Sequence, residues 1–403
     1  MSSRPSFSIL LPTYNRGEIL PLAIQSVLDQ TFDDFELVIS NGGSTDTTDE
    51  VVRRFTDSRI KYFHSDKKLS MAENYDFVLS KATGEYLIFF SDDDAFIPEM
   101  LNKVRGVIND TSTQMIVFPF ARYYHEEQRG LGIKKNTLAV TKFSRSIFSV
   151  SSREDILRMV AMFGLAKHPH LPQSPSPLIG NVVIHRQIFE ELAEKVEKFF
   201  STIPVDIYLI TLILARIDRY FVIDEPLLVW SQWSKNSSIG IGSNLREHYE
   251  NLLAGRSLEH VPLKFPLPMN CSANAILTAF RDMGLNPIDF QLDWSNYYLS
   301  MLNYLIYLDG EGVDVSRERA ELNKALKDLD SEVRHSVLDS RATRRFRFMR
   351  TLKQSTIGRI LKILKGRLSR PQNDDYVYSG TDLGFKDVGQ SAKYLGQKLG
   401  RMS

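Results

Sequence analysis

The chain has 403 residues, 43% of them hydrophobic, and its 50 basic and 49 acidic residues leave a net charge of +1. That length exceeds one ordinary hydrophobic core, so a main domain with a smaller appended region is expected. The single cysteine, Cys271, excludes an intrachain disulfide and a thiolate zinc site. Residues 1–15 carry no secretory signal pattern, and the longest apolar stretch, residues 207–215, falls short of the roughly 20 residues that span a bilayer. These features point to a globular protein of the cytosol.

In chain order, residues 7–11 read as a buried strand. The loop Pro12-Thr13-Tyr14-Asn15-Arg16 joins it to a helix over 18–30, where Ile19, Leu22, Ala23, Ser26 and Val27 recur at helical spacing. A second strand, 36–40, ends in Asn41-Gly42-Gly43-Ser44-Thr45-Asp46. Its glycines open backbone conformations closed to other residues, and Ser44 or Asp46 can cap the next helix. Strand 60–64, helix 70–81 and strand 86–90 follow, the last opened by Gly84. Such alternation with short connections predicts an α/β fold on a doubly wound, mostly parallel sheet.

The strand over 86–90 is apolar without alternation, as expected where both faces are covered, and it runs straight into Asp92, Asp93 and Asp94. Ligands of open α/β sheets bind beyond the carboxyl ends of the strands. Three adjacent carboxylates repel one another unless a cation joins them, and hard oxygen ligands suit Mg²⁺ or Mn²⁺. The competing readings are a solvated acidic turn, or Asp94 as the cap of a helix beginning near Pro98.

Four segments carry a resemblance: Ile9-Leu10-Leu11-Pro12-Thr13-Tyr14-Asn15-Arg16, Gly43-Ser44-Thr45-Asp46, Leu69-Ser70-Met71-Ala72-Glu73-Asn74, and Gly84-Glu85-Tyr86 leading to the aspartates and Pro98. In that order and spacing they resemble the inverting family-2 glycosyltransferases of GT-A fold, of the bacterial surface polysaccharide or glycolipid type. The likeness is clear over about the first 110 residues and looser to about residue 240. It implies a nucleotide-sugar donor, UDP-linked, and transfer of a hexosyl or N-acetylhexosaminyl group to a saccharide or lipid-linked acceptor. Asp93 would lie closest to Mn²⁺ or Mg²⁺, Asp92 near the ribose, and Asp94 would bind metal or orient its neighbours. Pro12, Thr13 and Tyr14 would enclose the base, with Arg16, Met71 and Asn74 completing the nucleotide-sugar set. Asn41 stands where many relatives carry an Asp that accepts the uracil N–H, a bond that an amide oxygen can also accept. Ser91 stands where Asp is commoner.

An inverting transfer needs a base for the acceptor hydroxyl. Asp206 precedes an apolar helix and follows Gly180-Asn181-Val182-Val183-Ile184-His185-Arg186, an arrangement similar to the family's Glu-Asp motif with Val205 in place of its Glu. Capping the helix at Ile207 is the competing role. Trp230 and Trp233 stand where relatives place a metal-binding His, and are read as acceptor contacts by stacking, or as packing. Two rival functions remain. A sugar-phosphate nucleotidyltransferase would open on a Gly-rich loop that Pro12 to Arg16 lacks, and a silent carbohydrate-binding scaffold would fit the departures at Asn41, Ser91 and Trp233.

The rest is read more coarsely. A proline-rich loop holds His168 and His170, taken as surface residues, and helices are expected over 273–283, 294–308 and 317–338. Residues 341–370 contain eleven basic residues and no acidic one, which leaves 39 basic against 49 acidic elsewhere. Met349, Leu352, Ile357, Ile360, Leu361, Leu364 and Leu368 give that segment an apolar stripe. It reads as a helix on an anionic membrane surface, the inner face of the plasma membrane, or as one docked on its own acidic body. Nucleic acid is not expected, since only Phe346 and Phe348 supply aromatic groups there. Residues 371–375 read as a linker and the remainder as a flexible tail. The expected division is a GT-A domain over 1–240, a helical extension over 241–340, and the basic helix and tail over 341–403.

Overall fold

The computed structural model describes residues 4–127, 133–167, 174–232, 245–253, 256–310, 312–329, 331, 334, 337 and 376–401. The chain begins β1 (Phe7–Thr13), α1 (Leu20–Leu28), β2 (Phe35–Asn41), α2 (Thr48–Arg53), β3 (Ile60–His64), α3 (Met71–Lys81), β4 (Tyr86–Phe89), β5 (Ala95–Phe96) and α4 (Met100–Thr111). It continues through β6 (Met115–Val117), β7 (Phe120–Tyr124), β8 (Thr137–Val140), β9 (Ile147–Ser151), α5 (Ser152–Met162), β10 (Val182–His185), α6 (Arg186–Leu192), α7 (Val205–Arg216), β11 (Arg219–Ile223) and β12 (Leu228–Gln232). Then come α8 (Leu245–Leu253), α9 (Pro268–Met283), α10 (Trp294–Gly310), α11 (Ser316–Lys327), β13 (Tyr376–Ser379), α12 (Gly380–Leu383) and α13 (Val388–Arg401).

Eight strands form the main sheet in the order β3-β2-β1-β4-β10-β6-β11-β9. The first four are mutually parallel, as the β-α alternation of the sequence predicts, and β10 then enters antiparallel to both β4 and β6. Alternate residues of the central strands feed two cores. Leu10, Leu87 and Phe89 face the helices α3, α5, α7 and α9, while Ile9, Leu11, Ile88 and Phe90 face α1, α4 and the second sheet. This explains the non-alternating run over 86–90. Each such side chain contributes about 1.5–3 kcal/mol of burial, and truncating Leu10 or Ile88 to Ala would cost about 2–5 kcal/mol.

The second sheet, β13-β8-β7-β12-β5, has as one edge β5, which follows the aspartates directly in the chain. Residues 376–401, expected as a flexible tail, form its other edge strand and a packed helix. β13 pairs antiparallel with β8, and Val388, Ala392, Leu395 and Leu399 recur along one face of α13 and join the core beside Phe96 and Val229. Low hydrophobicity hid this packing, because one apolar stripe suffices when a partner surface waits for it. Of the helices expected within 244–339, those over 273–283 and 294–308 are present within α9 and α10, whereas the one expected over 317–338 is α11 and ends at Lys327. Residues 341–370, the 371–375 linker, His168, His170 and Trp233 lie outside the described residues, and no described helix is long and apolar enough to cross a membrane.

Candidate active site

The carboxyl ends of β1 and β4 open on a cleft of about 550 Å³. Pro12, Thr13, Tyr14 and Arg16 line it from the end of β1, Met71, Asn74 and Tyr75 from the start of α3, and Asp92 and Asp93 from the end of β4. The helix is held to this place by its first turn. Ser70 accepts from the Glu73 N–H at 3.3 Å, and the Ser70 N–H donates to Glu73 Oε2 at 2.8 Å, a reciprocal cap of the kind worth about 1 kcal/mol.

The aspartates differ in their surroundings. Thr13 Oγ1 donates to Asp92 Oδ2 at 2.7 Å, and Arg16 Nε lies 3.7 Å from Asp92 Oδ1. Burial, and then the charge of Asp93, nevertheless push the Asp92 carboxyl up to about 7. Asp93 Oδ1 accepts from Ser91 Oγ at 2.5 Å, so Ser91 serves as a donor to the central aspartate. Asp94 is not a helix cap; its Oδ1 accepts from the Ser231 N–H of β12 at 2.8 Å. Burial, followed by Asp93, holds its carboxyl well above the ordinary range.

Two buried carboxyls pressed toward protonation describe a site short of positive charge, which a divalent cation fits. Asp93 and Asp94 each commit one oxygen to the protein and keep a second for a ligand. Among the described residues no group of three His, Cys, Asp or Glu side chains could hold a metal. Two carboxylates with substrate phosphate and water suit Mg²⁺ or Mn²⁺ better than an all-protein cage.

The Gly43 to Asp46 run does not line the cleft; it locks the loop that does. The Asn15 N–H donates to Ser44 Oγ at 2.8 Å, the Thr45 N–H to Asn15 Oδ1 at 2.8 Å, and the Gly17 N–H to Asp46 Oδ2 at 3.0 Å. Gly43 adopts φ +83°, and a β-carbon there would come within 2.6 Å of the Lys67 carbonyl oxygen. Held this way, the loop presents Tyr14 and Arg16, and Lys68 Nζ lies 5.0 Å from the centre of the Tyr14 ring.

Asn41 departs from its expected role. It is fully buried, its Oδ1 accepts from the Ser44 N–H at 2.9 Å, its Nδ2 donates to the Tyr62 hydroxyl at 3.0 Å, and it does not line the cleft. The reason is local: an amide can satisfy both the turn and Tyr62, and it is drawn inward by them. Asn74 does line the cleft, yet its Nδ2 donates to the carbonyls of Thr13 at 3.1 Å and Ser40 at 3.4 Å, and its Oδ1 accepts from Ser40 Oγ. It ties β1, β2 and α3 together at the wall of the cleft.

A second cavity of about 450 Å³ adjoins the first and shares Met71, Tyr75, Ser91, Trp230 and His248 with it. Phe89, Phe120, Val205 and Tyr249 give it an apolar lining, and Asp206 is a carboxylate on its wall, as is Asp94. The helix-cap position of α7 belongs to Pro204, so Asp206 is no N-cap; it sits inside the first turn with Oδ1 accepting from the Ile207 N–H at 2.9 Å. Burial raises its carboxyl against that bond. The Tyr75 hydroxyl is raised by burial and then by Asp206, Asp92, Asp93 and Asp94, so the two cavities share one electrostatic field. Trp230 stands on both walls, its ring edge-on to Phe120 at 4.9 Å. Lys68, Tyr75, His248 and Arg256 escaped the sequence reading. Leu245, His248, Tyr249 and Leu252 follow helical spacing, which announces α8 but not where it docks.

Residues 8–155 match the model of the family described as Glycosyl transferase family 2. The chain is 30% identical over 158 residues to the GalNAc(5)-diNAcBac-PP-undecaprenol beta-1,3-glucosyltransferase of Campylobacter jejuni, covering 36% of this chain and 51% of that protein. It is 32% identical over 117 residues to a PGL/p-HBAD biosynthesis glycosyltransferase of Mycobacterium bovis, covering 28% of this chain and 46% of that one. The chain thus spans about half the length of these two curated relatives. Among solved structures, S. aureus TarS 1-349 in complex with UDP-GlcNAc aligns over 87% of this chain and 93% of that chain, at 15% identity and a TM-score of 0.48. The stretch from β1 into α5, which includes the aspartates and the loop beside them, is a glycosyl transferase family 2 region.

Proposed function

We propose that this protein is an inverting, metal-dependent glycosyltransferase that moves a sugar from a UDP-linked donor to a hydroxyl of a saccharide or lipid-linked saccharide. The observation that carries the reading is the meeting of two cavities, one lined by Asp92, Asp93 and Arg16 and the other by Asp206, across Tyr75 and Trp230. In the first, Tyr14 takes the base, and Arg16, Lys68 and Arg256 oppose the charge of the diphosphate. Asp93, with Asp94, would hold Mn²⁺ or Mg²⁺, which supplies charge stabilisation for the departing diphosphate.

In the second cavity Asp206 removes the proton of the acceptor hydroxyl. The acceptor oxygen bonds to the anomeric carbon, the bond to the diphosphate oxygen breaks, and the proton stays on the carboxylate. Burial raises the Asp206 carboxyl and so strengthens it as a base. Trp230, at the junction, offers its ring to the sugar being moved or to the acceptor. A polyprenyl-diphosphate-linked glycan, the acceptor named for the Campylobacter relative, agrees with an apolar lining and with a basic segment at 341–370 that would rest on an anionic inner leaflet.

The test is UDP-sugar binding with and without Mn²⁺ in wild type and Asp93→Ala. Wild type should bind more tightly with the metal, and the variant should lose both that gain and transfer. Undiminished metal-dependent binding in the variant would place the cation elsewhere.

A further inference from the structure

Resting on that reading, we propose that residues 376–401 complete the site from behind, holding Asp94 in place through Tyr123, His125 and Ser231. β5 begins immediately after Asp94 and pairs with β12, Ala95 lying opposite Val229. Two residues further along β12, the Ser231 N–H donates to Asp94 Oδ1 at 2.8 Å. Ser231 in turn has its Oγ 2.7 Å from His125 Nε2, and the His125 backbone N–H donates to the Gln232 carbonyl at 3.2 Å. The imidazole therefore bonds the strand that bonds the aspartate.

The C-terminal residues determine where that imidazole stands. His125 packs edge-on against Tyr123 at 4.7 Å, and Tyr123 is fully buried. Tyr123 meets the C-terminal elements once directly and once through Asn136. Its ring lies 6.1 Å from that of Phe385, and its hydroxyl donates at 3.2 Å to Asn136 Oδ1, while the Asn136 carbonyl accepts from the Gly380 N–H at 2.7 Å. The approach at Gly380 tolerates no side chain, since a β-carbon would come within 2.3 Å of the Phe385 oxygen and 2.7 Å of the Asn136 oxygen. Beyond it, α13 is tied down by Arg145 Nη2 donating to the Leu399 carbonyl at 2.8 Å and by Lys393 against Asp29 at 2.7 Å. Its apolar face shares one core with Ala95, Phe96 and Val229. Neither His125 nor Phe385 lines either cavity, so both are positioning residues rather than catalytic ones.

The experiment is hydrogen–deuterium exchange on the intact chain, comparing wild type with His125→Ala, His125→Gln and Gly380→Ala, beside the Mn²⁺ dependence of transfer. The Ala variants should speed exchange over 91–97 and 228–232 while 71–81 and 205–216 keep their protection. His125→Ala should weaken the apparent Mn²⁺ affinity about tenfold, as loss of a supporting partner does, and His125→Gln, whose amide nitrogen can stand near Nε2, should restore both readouts. Unchanged exchange in His125→Ala and Gly380→Ala overturns the proposal, as does failure of His125→Gln to differ from His125→Ala. If exchange responds as described but wild type shows no metal dependence, the positioning role stands and the metal reading falls.

Discussion

Thr13, Asp92 and Asp93 come from the ends of two adjacent parallel strands, whereas Asp206, Trp230 and His248 come from a helix, a strand of another sheet and a second helix distant in sequence. The first group is placed by the β-α rhythm alone: in a parallel sheet every strand end falls at the same edge, so residues that follow the strands are gathered without further instruction. The second group is placed by packing between layers, which no local pattern records. The strand-end side is consequently placed by topology, and the facing side depends on tertiary contacts such as Ser231 to Asp94 and Tyr123 to Phe385.

Asn74 is the residue through which the strand ends are bound to α3, and Asn74→Ala removes three hydrogen bonds and leaves the Thr13 and Ser40 carbonyls buried without that partner. Destabilisation of about 1–3 kcal/mol is expected, measured by denaturant unfolding, with weaker donor binding and little change in acceptor KM. An equal loss on both substrates would mean that the two halves are not separately built.

A smaller effect concerns charge. The folded protein holds the Asp92 carboxyl up to about 7 through burial and Asp93, while the unfolded chain ionises near the ordinary carboxylate value. Between those values the folded state keeps a proton that the unfolded state has lost, so this contribution is present at low pH and disappears as pH rises through about 7. Asp92→Asn lacks the titration. In metal-free buffer its stability relative to wild type should therefore improve from pH 5 to pH 8, with most of the change complete by about pH 7. A difference independent of pH would show that Asp92 is already ionised in the free protein.

The same contrast explains what could be read from the sequence. The run from Tyr86 to Asp94, the loop at Pro12 to Arg16 and the capped start of α3 were legible because each is local. Asn41 misled because its residue type suits a ligand and a turn equally, and only the fold shows that Ser44 and Tyr62 claim it. Asp206 was legible by its place before an apolar helix, though not its seat within the first turn behind Pro204. Tyr75 and His248 were missed since an aromatic ring or a histidine on an amphipathic helix has no signature until the facing surface is known. The C-terminal strand and helix were missed for the same reason: the stripe of Val388, Ala392, Leu395 and Leu399 is visible in the sequence, but its partner, the core beside β5 and β12, is not.

The proposed action of the second cavity's carboxylate on a sugar held in the first is probed by Asp206→Asn, because the amide keeps the shape and the bond to the Ile207 N–H but cannot take a proton. Transfer and UDP-sugar binding should be measured on the same preparation. In this variant kcat should fall by about 10² or more while donor affinity stays within about threefold of wild type. Retention of transfer at the wild-type rate would contradict it and leave Asp206 as a structural residue of α7.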